Sequence, residues 1–461
     1  MDRATLANQA SGVETAAIPP AAEVPLSVRL ARWSWVVVRS ESFLISIVSV
    51  VLAVAMTWPL ALHIDNGFVH DNTDPAEYSW ILSWPGHVLF QHPTQLWQTN
   101  AFYPEPDSLA FTDTGLGYLP ASFIGSGPVA AIVRFNVLLM LAYAMAFAGA
   151  YALARQLGSR RPGALLAGVA WAYAPWHITQ SGHITVISTG GVAFALAALA
   201  RGHGFSLRKG YRPDKIRPGW IAAGWAVAAW QITLGFATGV PFFYLLVALG
   251  GIAVVGWFVC RRPRLPRAML WANLGGSLGF ISVTYFMARV SLRVADRYMV
   301  RRGHQELGWY SPRFSGLFAP PETSWLWGEP LRGFRLHAFA GVKGGNEVTW
   351  LPGFALLTCA VAGIFVSVFA MHWRALLAGS ALLLGALSMG TELWGGALYM
   401  VPYRTLPGWD ALRTPGRMMI WATLLLLLLA AGFLTRIGEM MHARLRKRVD
   451  ASPRKVAPRF L

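Results

Sequence analysis

Six carboxylates, Asp71, Asp74, Glu77, Glu105, Asp107 and Asp113, fall within 43 residues of a chain in which only 13% of residues are charged. A carboxylate beside an acceptor hydroxyl can take its proton or hold it for attack. Asp74 is the residue expected to do this. In Thr73-Asp74-Pro75 it is placed to cap a helix that Pro75 begins, and a cap position aims an acid from a rigid helix end. Asp71, three residues earlier, could orient a substrate or share a divalent cation, Mg or Mn. With Asp74, Glu77, Asp107 and Asp113 it makes a set of oxygen ligands whose spacing leaves the metal unknown. Asp113, followed by an apolar run, joins the expected substrate-binding set.

The remaining candidates are cations. His183, in Ser181-Gly182-His183, sits with His177 at a tight turn expected on the outer surface, where an imidazole can shuttle protons or bond hydroxyls and phosphate. Arg413 and Arg417, in Leu412-Arg413-Thr414-Pro415-Gly416-Arg417, could grip phosphate with a guanidinium fork. Anchors that snorkel to the interface are the competing reading. Arg134 and Arg289 carry the same two readings. The expected site is therefore Asp74 for catalysis and Asp71, Asp113, His183, Arg134, Arg413 and Arg417 for binding.

These residues need a scaffold, and the composition says which kind. The chain has 461 residues, 55% of them hydrophobic, with 21 Trp and a mean hydropathy of +0.45. That is more apolar surface than a soluble domain can hide, so the fold class is an all-α membrane protein. About ten stretches come near the roughly 20 apolar residues that a span needs. They cover 43–62, 129–153, 163–178, 184–199, a pair within 220–259 broken near Gly235, Gly239 and Pro241, then 268–287, 351–371, 375–389 and 418–434.

Three long external loops follow from that assignment, at 63–127, 288–350 and 390–415. Within the first, the stripe of Tyr78, Trp80, Ile81, Leu82, Trp84, Val88 and Leu89 predicts one helix lying flat on the membrane, and 116–124 a second interfacial piece. Residues 1–42 are expected to form a cytoplasmic tail with an interfacial segment, and 435–461 a basic cytoplasmic tail.

The formal charge of +18 reports topology. Arginines collect at 155–161, 201–217 and 261–267 and in the last residues, all on one side of the assigned spans. By the positive-inside rule that side is cytoplasmic, with both termini, and the acid-bearing loops face outward. The basic face suits anionic lipid headgroups, and nucleic acid is not an expected partner. Cys260 and Cys359 lie in separate parts of the membrane domain, which speaks against a disulfide, and no CxxC pattern occurs.

With these residues in place, the chain resembles the GT-C superfamily of polytopic membrane glycosyltransferases, within a poorly characterised bacterial group. The likeness lies in Thr73-Asp74-Pro75 with Trp80 and Trp84, in Phe102-Tyr103-Pro104, in Leu109-Ala110-Phe111-Thr112-Asp113, in Ser181-Gly182-His183 and in Arg413-Thr414-Pro415-Gly416-Arg417. It implies a polyprenyl-phosphate sugar donor in the outer leaflet and a glycan, lipid or protein acceptor in the cell envelope. It implies also an acid at Asp74 assisting the acceptor, arginines holding phosphate, inversion at the anomeric carbon, and residence in the bacterial inner membrane. Asp71-x-x-Asp74 differs from the Asp-x-Asp of metal-dependent members. A transporter or flippase of a lipid-linked sugar, and a non-catalytic assembly subunit, are the alternatives. The first calls for internal repeats and spans broken near mid-membrane.

Overall fold

A computed structural model describes residues 40–69, 72–259, 265–340 and 342–451. Asp71, the 1–39 segment, Cys260 with Arg261, Arg262 and Arg264, and the last ten residues lie outside the described residues. Chain contacts separate a unit Met1–Ile47, of which only the start of a helix is described, from a unit Val48–Leu461 that holds everything discussed below.

The described chain is mostly helical, with almost no sheet. The principal helices are α1 (Glu41–Met56), α2 (Asp74–Ile81), α3 (Gly127–Leu157), α4 (Arg161–Tyr173), α5 (Gly190–Gly202), α6 (Pro218–Ile232), α7 (Phe236–Val259), α8 (Arg267–Tyr298), α9 (Phe354–Phe365), α10 (Met371–Ser388) and α11 (Met419–Ala451). A two-residue antiparallel pair, β1 (Phe205–Ser206) with β2 (Gly210–Tyr211), is the sheet among the described residues. Among the described residues, five helical stretches are long and apolar enough to cross a membrane: Gly127–Leu157, Ile184–Gly202, Phe236–Val259, Arg267–Tyr298 and Pro415–Lys447. They mark the chain as a membrane protein. The other expected spans coincide with the shorter helices α1, α4, α6, α9 and α10.

Helix packing runs α8–α6–α5–α3–α4–α11, and both α9 and α10 pack on α11. The stretches containing α3, α5 and α11 are mostly covered by protein, whereas α7 and α8 keep most of their apolar surface outward. Between lipid-immersed helices the solvent supplies little hydrophobic drive, so close backbone approach through small residues does the joining. At Gly163 of α4 an added Cβ would lie 2.3 Å from the Ala431 carbonyl oxygen of α11, and at Gly149 of α3 it would lie 2.7 Å from that of Gly190. No larger residue fits either crossing.

One expected helix is broken, and two helices run on past the assigned spans. The single flat helix expected from Tyr78 to Leu89 is broken: α2 stops at Ile81 and a separate turn spans Trp84–Val88. Pro85 lacks the N–H that would bond Ile81 and its ring clashes with that carbonyl. The helix of the seventh expected span runs on past 287, and α8 continues to Tyr298. Its extension buries Val290 and Val294 against Ala110, Trp97 and Phe111 of the first loop, and its Arg293 and Arg297 pair with Asp107 at 3.6 and 4.0 Å. The basic segment after 434 continues the last helix where described, since α11 runs to Ala451. The 116–124 piece is tied to the helices around it. Gly117 N–H donates to the Thr233 carbonyl, Trp230 Nε1 donates to the Gly117 carbonyl, and Tyr118 Oη is 2.5 Å from Ser188 Oγ.

Candidate active site

The chain from Ile178 to Ser188 links α4 to α5 and is pinned from three directions by tyrosines. Tyr143 Oη of α3 lies 2.7 Å from Ser181 Oγ, Tyr78 Oη of α2 lies 3.3 Å from Thr185 Oγ1, and Tyr118 Oη holds Ser188. Gly182 in this turn faces Pro75, whose ring would be 3.7 Å from an added Cβ. The turn therefore docks on the start of α2. That contact puts His183 Nε2 2.7 Å from Asp74 Oδ2.

Helix α2 starts with Asp74 as its first residue, Thr73 as the preceding cap position and Pro75 second, one residue earlier than the sequence suggests. The Asp74 side chain is 42% exposed, so the carboxylate has an open side while its other side meets the imidazole. A partly desolvated acid held at a helix start keeps a fixed aim and remains reachable by a substrate.

Two further loops complete the cluster. Glu347, in the turn Gly345–Val348 of the connection between α8 and α9, has an oxygen 3.5 Å from His183 Nε2. Arg417, just before α11, grips the same carboxylate with both prongs: Nε donates to Oε2 at 3.1 Å, and an Nη2 hydrogen bond reaches Oε1. Gly416 permits this approach, because an added Cβ would stand 3.0 Å from the Glu347 carbonyl oxygen. Burial pushes the Glu347 carboxyl up, but Arg417, with His183 and Arg413, outweighs it and holds the group below the usual carboxylate range. Burial lowers the His183 pKa and Arg417 reinforces this, against the opposing pull of Glu347 and Asp74. Its Nδ1 is buried without a hydrogen-bond partner. A neutral imidazole with its proton on Nε2, donating to Asp74, satisfies this geometry best.

Asp113 stands behind the cluster and not in it. Its Oδ1 accepts the Phe236 N–H at 2.7 Å and its Oδ2 the Ala237 N–H at 3.4 Å, so it caps the start of α7. Gly235 allows the approach, since an added Cβ would lie 2.7 Å from Oδ2. Burial raises the Asp113 carboxyl above the usual range despite those bonds. Burial and then Asp113 push the Tyr78 hydroxyl up to about 12.

Among the expected binding residues, the structure separates ligand-ready groups from structural ones. Arg413 is exposed, with its guanidinium 4.8 Å from the centre of the Tyr310 ring, and it influences both His183 and Glu347. Arg417 is committed to Glu347, so it is a poorer phosphate receptor than expected. Arg134 is not a receptor at all. Its donors go to the carbonyls of Ala121, Ile124 and Gly125 and to Ser83 Oγ, and it is 7% exposed, a staple that ties the first loop to α3. Arg289 lies over Phe286 at 4.6 Å. His177 is fully buried against Trp176 and Tyr143, with Nδ1 2.9 Å from the Ala172 carbonyl oxygen, and does not face the outer surface.

The carboxylates expected to share a cation are dispersed. Asp107 faces α8, Asp113 caps α7, and no three His, Cys, Asp or Glu side chains among the described residues converge as metal ligands. Glu347 is the residue that sequence reasoning missed as a site member. It is 70 residues from Arg417, and a lone acid in the Gly344-Gly345-Asn346-Glu347 turn offers no spacing to mark it. No protein-family model, curated protein or solved structure matches this chain.

Proposed function

We propose that this protein is a membrane-embedded glycosyltransferase that moves a sugar from a polyprenyl-phosphate donor to a hydroxyl acceptor on the extracytoplasmic side. The observation that carries the reading is the convergence of Asp74, His183, Glu347 and Arg417, drawn from four separate connections, at one end of the helix array. The likeness of the short motifs to the GT-C superfamily points the same way. In this reading the chain crosses the inner membrane about ten times, with the arginine-rich ends in the cytoplasm and the Asp74 cluster outside.

Asp74 takes the acceptor proton as the acceptor oxygen attacks the anomeric carbon. The bond from that carbon to the phosphate oxygen breaks on the opposite face, so the sugar inverts and polyprenyl phosphate leaves. His183 holds the Asp74 carboxylate through Nε2–H, and Glu347 fixes His183 and Arg417 together. Arg413, exposed and beside the cluster, receives the donor phosphate.

Transfer by the purified protein from a panel of polyprenyl-phosphate sugars tests this. Asp74→Asn keeps size but not basicity, and is expected to lower the rate by about 10²- to 10⁴-fold with folding intact. Equal rates for variant and wild type would remove Asp74 from the chemistry. Movement of the lipid-linked sugar across vesicles without any transfer would favour the flippase instead.

A further inference from the structure

The ends of α5 and α6 remote from Asp74 carry a second site. An apolar groove of about 370 Å³ runs between α3, α5 and α6, walled by Met145, Phe194, Ala198, Ala223, Val227 and Trp230. At its mouth stands Trp220, which also lines a wider hollow of about 560 Å³ rimmed by Arg217. Arg201, in the last turn of α5, lies with its guanidinium 4.3 Å from the centre of the Trp220 ring. Arg217 is exposed, and its backbone N–H is bonded to the Gly202 carbonyl, which holds the two arginine-bearing segments together. The acids of this end are engaged elsewhere: Asp214 with Lys215, and Glu439 with Arg160 and Arg208. Among the described residues, Arg201 and Arg217 are thus left facing outward beside an apolar slot.

Two positive groups at the mouth of a greasy groove match one ligand class, an anion with a hydrocarbon chain. Length narrows it further. From Trp220 to Trp230 is ten residues of helix, about 15 Å, or about half of a hydrocarbon layer of roughly 30 Å. The groove therefore holds a chain from a single leaflet and ends where Trp230 bonds Gly117 of the first loop. We infer that this is a binding site for an anionic phospholipid, with its phosphate on Arg201 and Arg217 and one acyl chain in the groove that α3, α5 and α6 line. The inference is independent of the catalytic reading.

Native mass spectrometry of the detergent-purified full chain, titrated with dioleoyl phosphatidylglycerol or dioleoyl phosphatidylcholine, tests it. The first lipid is expected to bind about tenfold or more tightly than the second. The paired variant Arg201→Gln with Arg217→Gln should erase that preference, whereas Arg201→Lys with Arg217→Lys should keep most of it, which controls for folding. Ala223→Trp, at an exposed wall position, should weaken both lipids alike. Equal binding of the two lipids by wild type, or a preference that survives the glutamine pair, would overturn the site. Displacement of phosphatidylglycerol by polyprenyl phosphate at lower concentration than by phosphatidylglycerol itself would overturn the occupant.

Discussion

At the scale of single residues, Arg413 and Glu347 divide the work that the sequence alone would assign to a pair of arginines. Because Arg417 already holds Glu347, the exposed Arg413 is the one whose loss should be felt by the donor phosphate. Arg413→Ala is expected to raise the donor KM by about 10- to 100-fold while thermal stability stays near wild type, with Arg413→Lys recovering only part. Glu347→Gln acts differently. It leaves the Arg417 charge without its counter-ion in a largely buried place, at a cost of about 3 kcal/mol near neutral pH. The folded Glu347 carboxyl sits below its unfolded value, so the stabilisation it provides is present above the unfolded carboxylate range near pH 4.3 and is lost as pH falls through the depressed folded value. The melting difference between wild type and Glu347→Gln should therefore shrink as pH is lowered below about 4. A gap that stays constant or widens would refute the ion-pair account.

At the scale of elements, the site depends on two devices that lie away from it. The crossing of α4 on α11 at Gly163 sets the course of α4 into the turn that carries His183. Gly163→Leu should force these helices apart, lower stability by about 3 kcal/mol and reduce activity without touching any reacting group. Arg134 is the second device. Arg134→Ala removes four hydrogen bonds that tie the first loop to α3, and faster proteolysis between residues 83 and 126 is the expected sign. A variant with wild-type protease resistance would show that the staple is dispensable. These devices are partly legible in sequence: small residues in apolar runs suggest close crossings. Which helix lies opposite Gly163 is not legible, because α4 and α11 are separated by most of the chain.

At the scale of the whole molecule, the proposed topology puts the Asp74 cluster and the arginine-rich ends on opposite sides of a membrane. In a variant lacking Cys260 and Cys359, a cysteine replacing Arg413 should react with an impermeant maleimide in intact cells, and one replacing Lys215 only after lysis. Labelling of both positions from the same side would refute the topology.

Length and hydropathy were enough to specify a helical membrane protein, because insertion energetics act on local composition and need no knowledge of neighbours. Asp74 and His183 could be singled out for the same reason, as polar groups at the ends of apolar runs. What only the tertiary structure decided is which of those groups meet. Asp74 touches His183, Glu347 holds Arg417, Asp113 turns away to cap α7, and Arg134 is spent on the loop. Each pairing joins segments far apart in the chain, and each is set by helix crossings and turn geometry that no local spacing records.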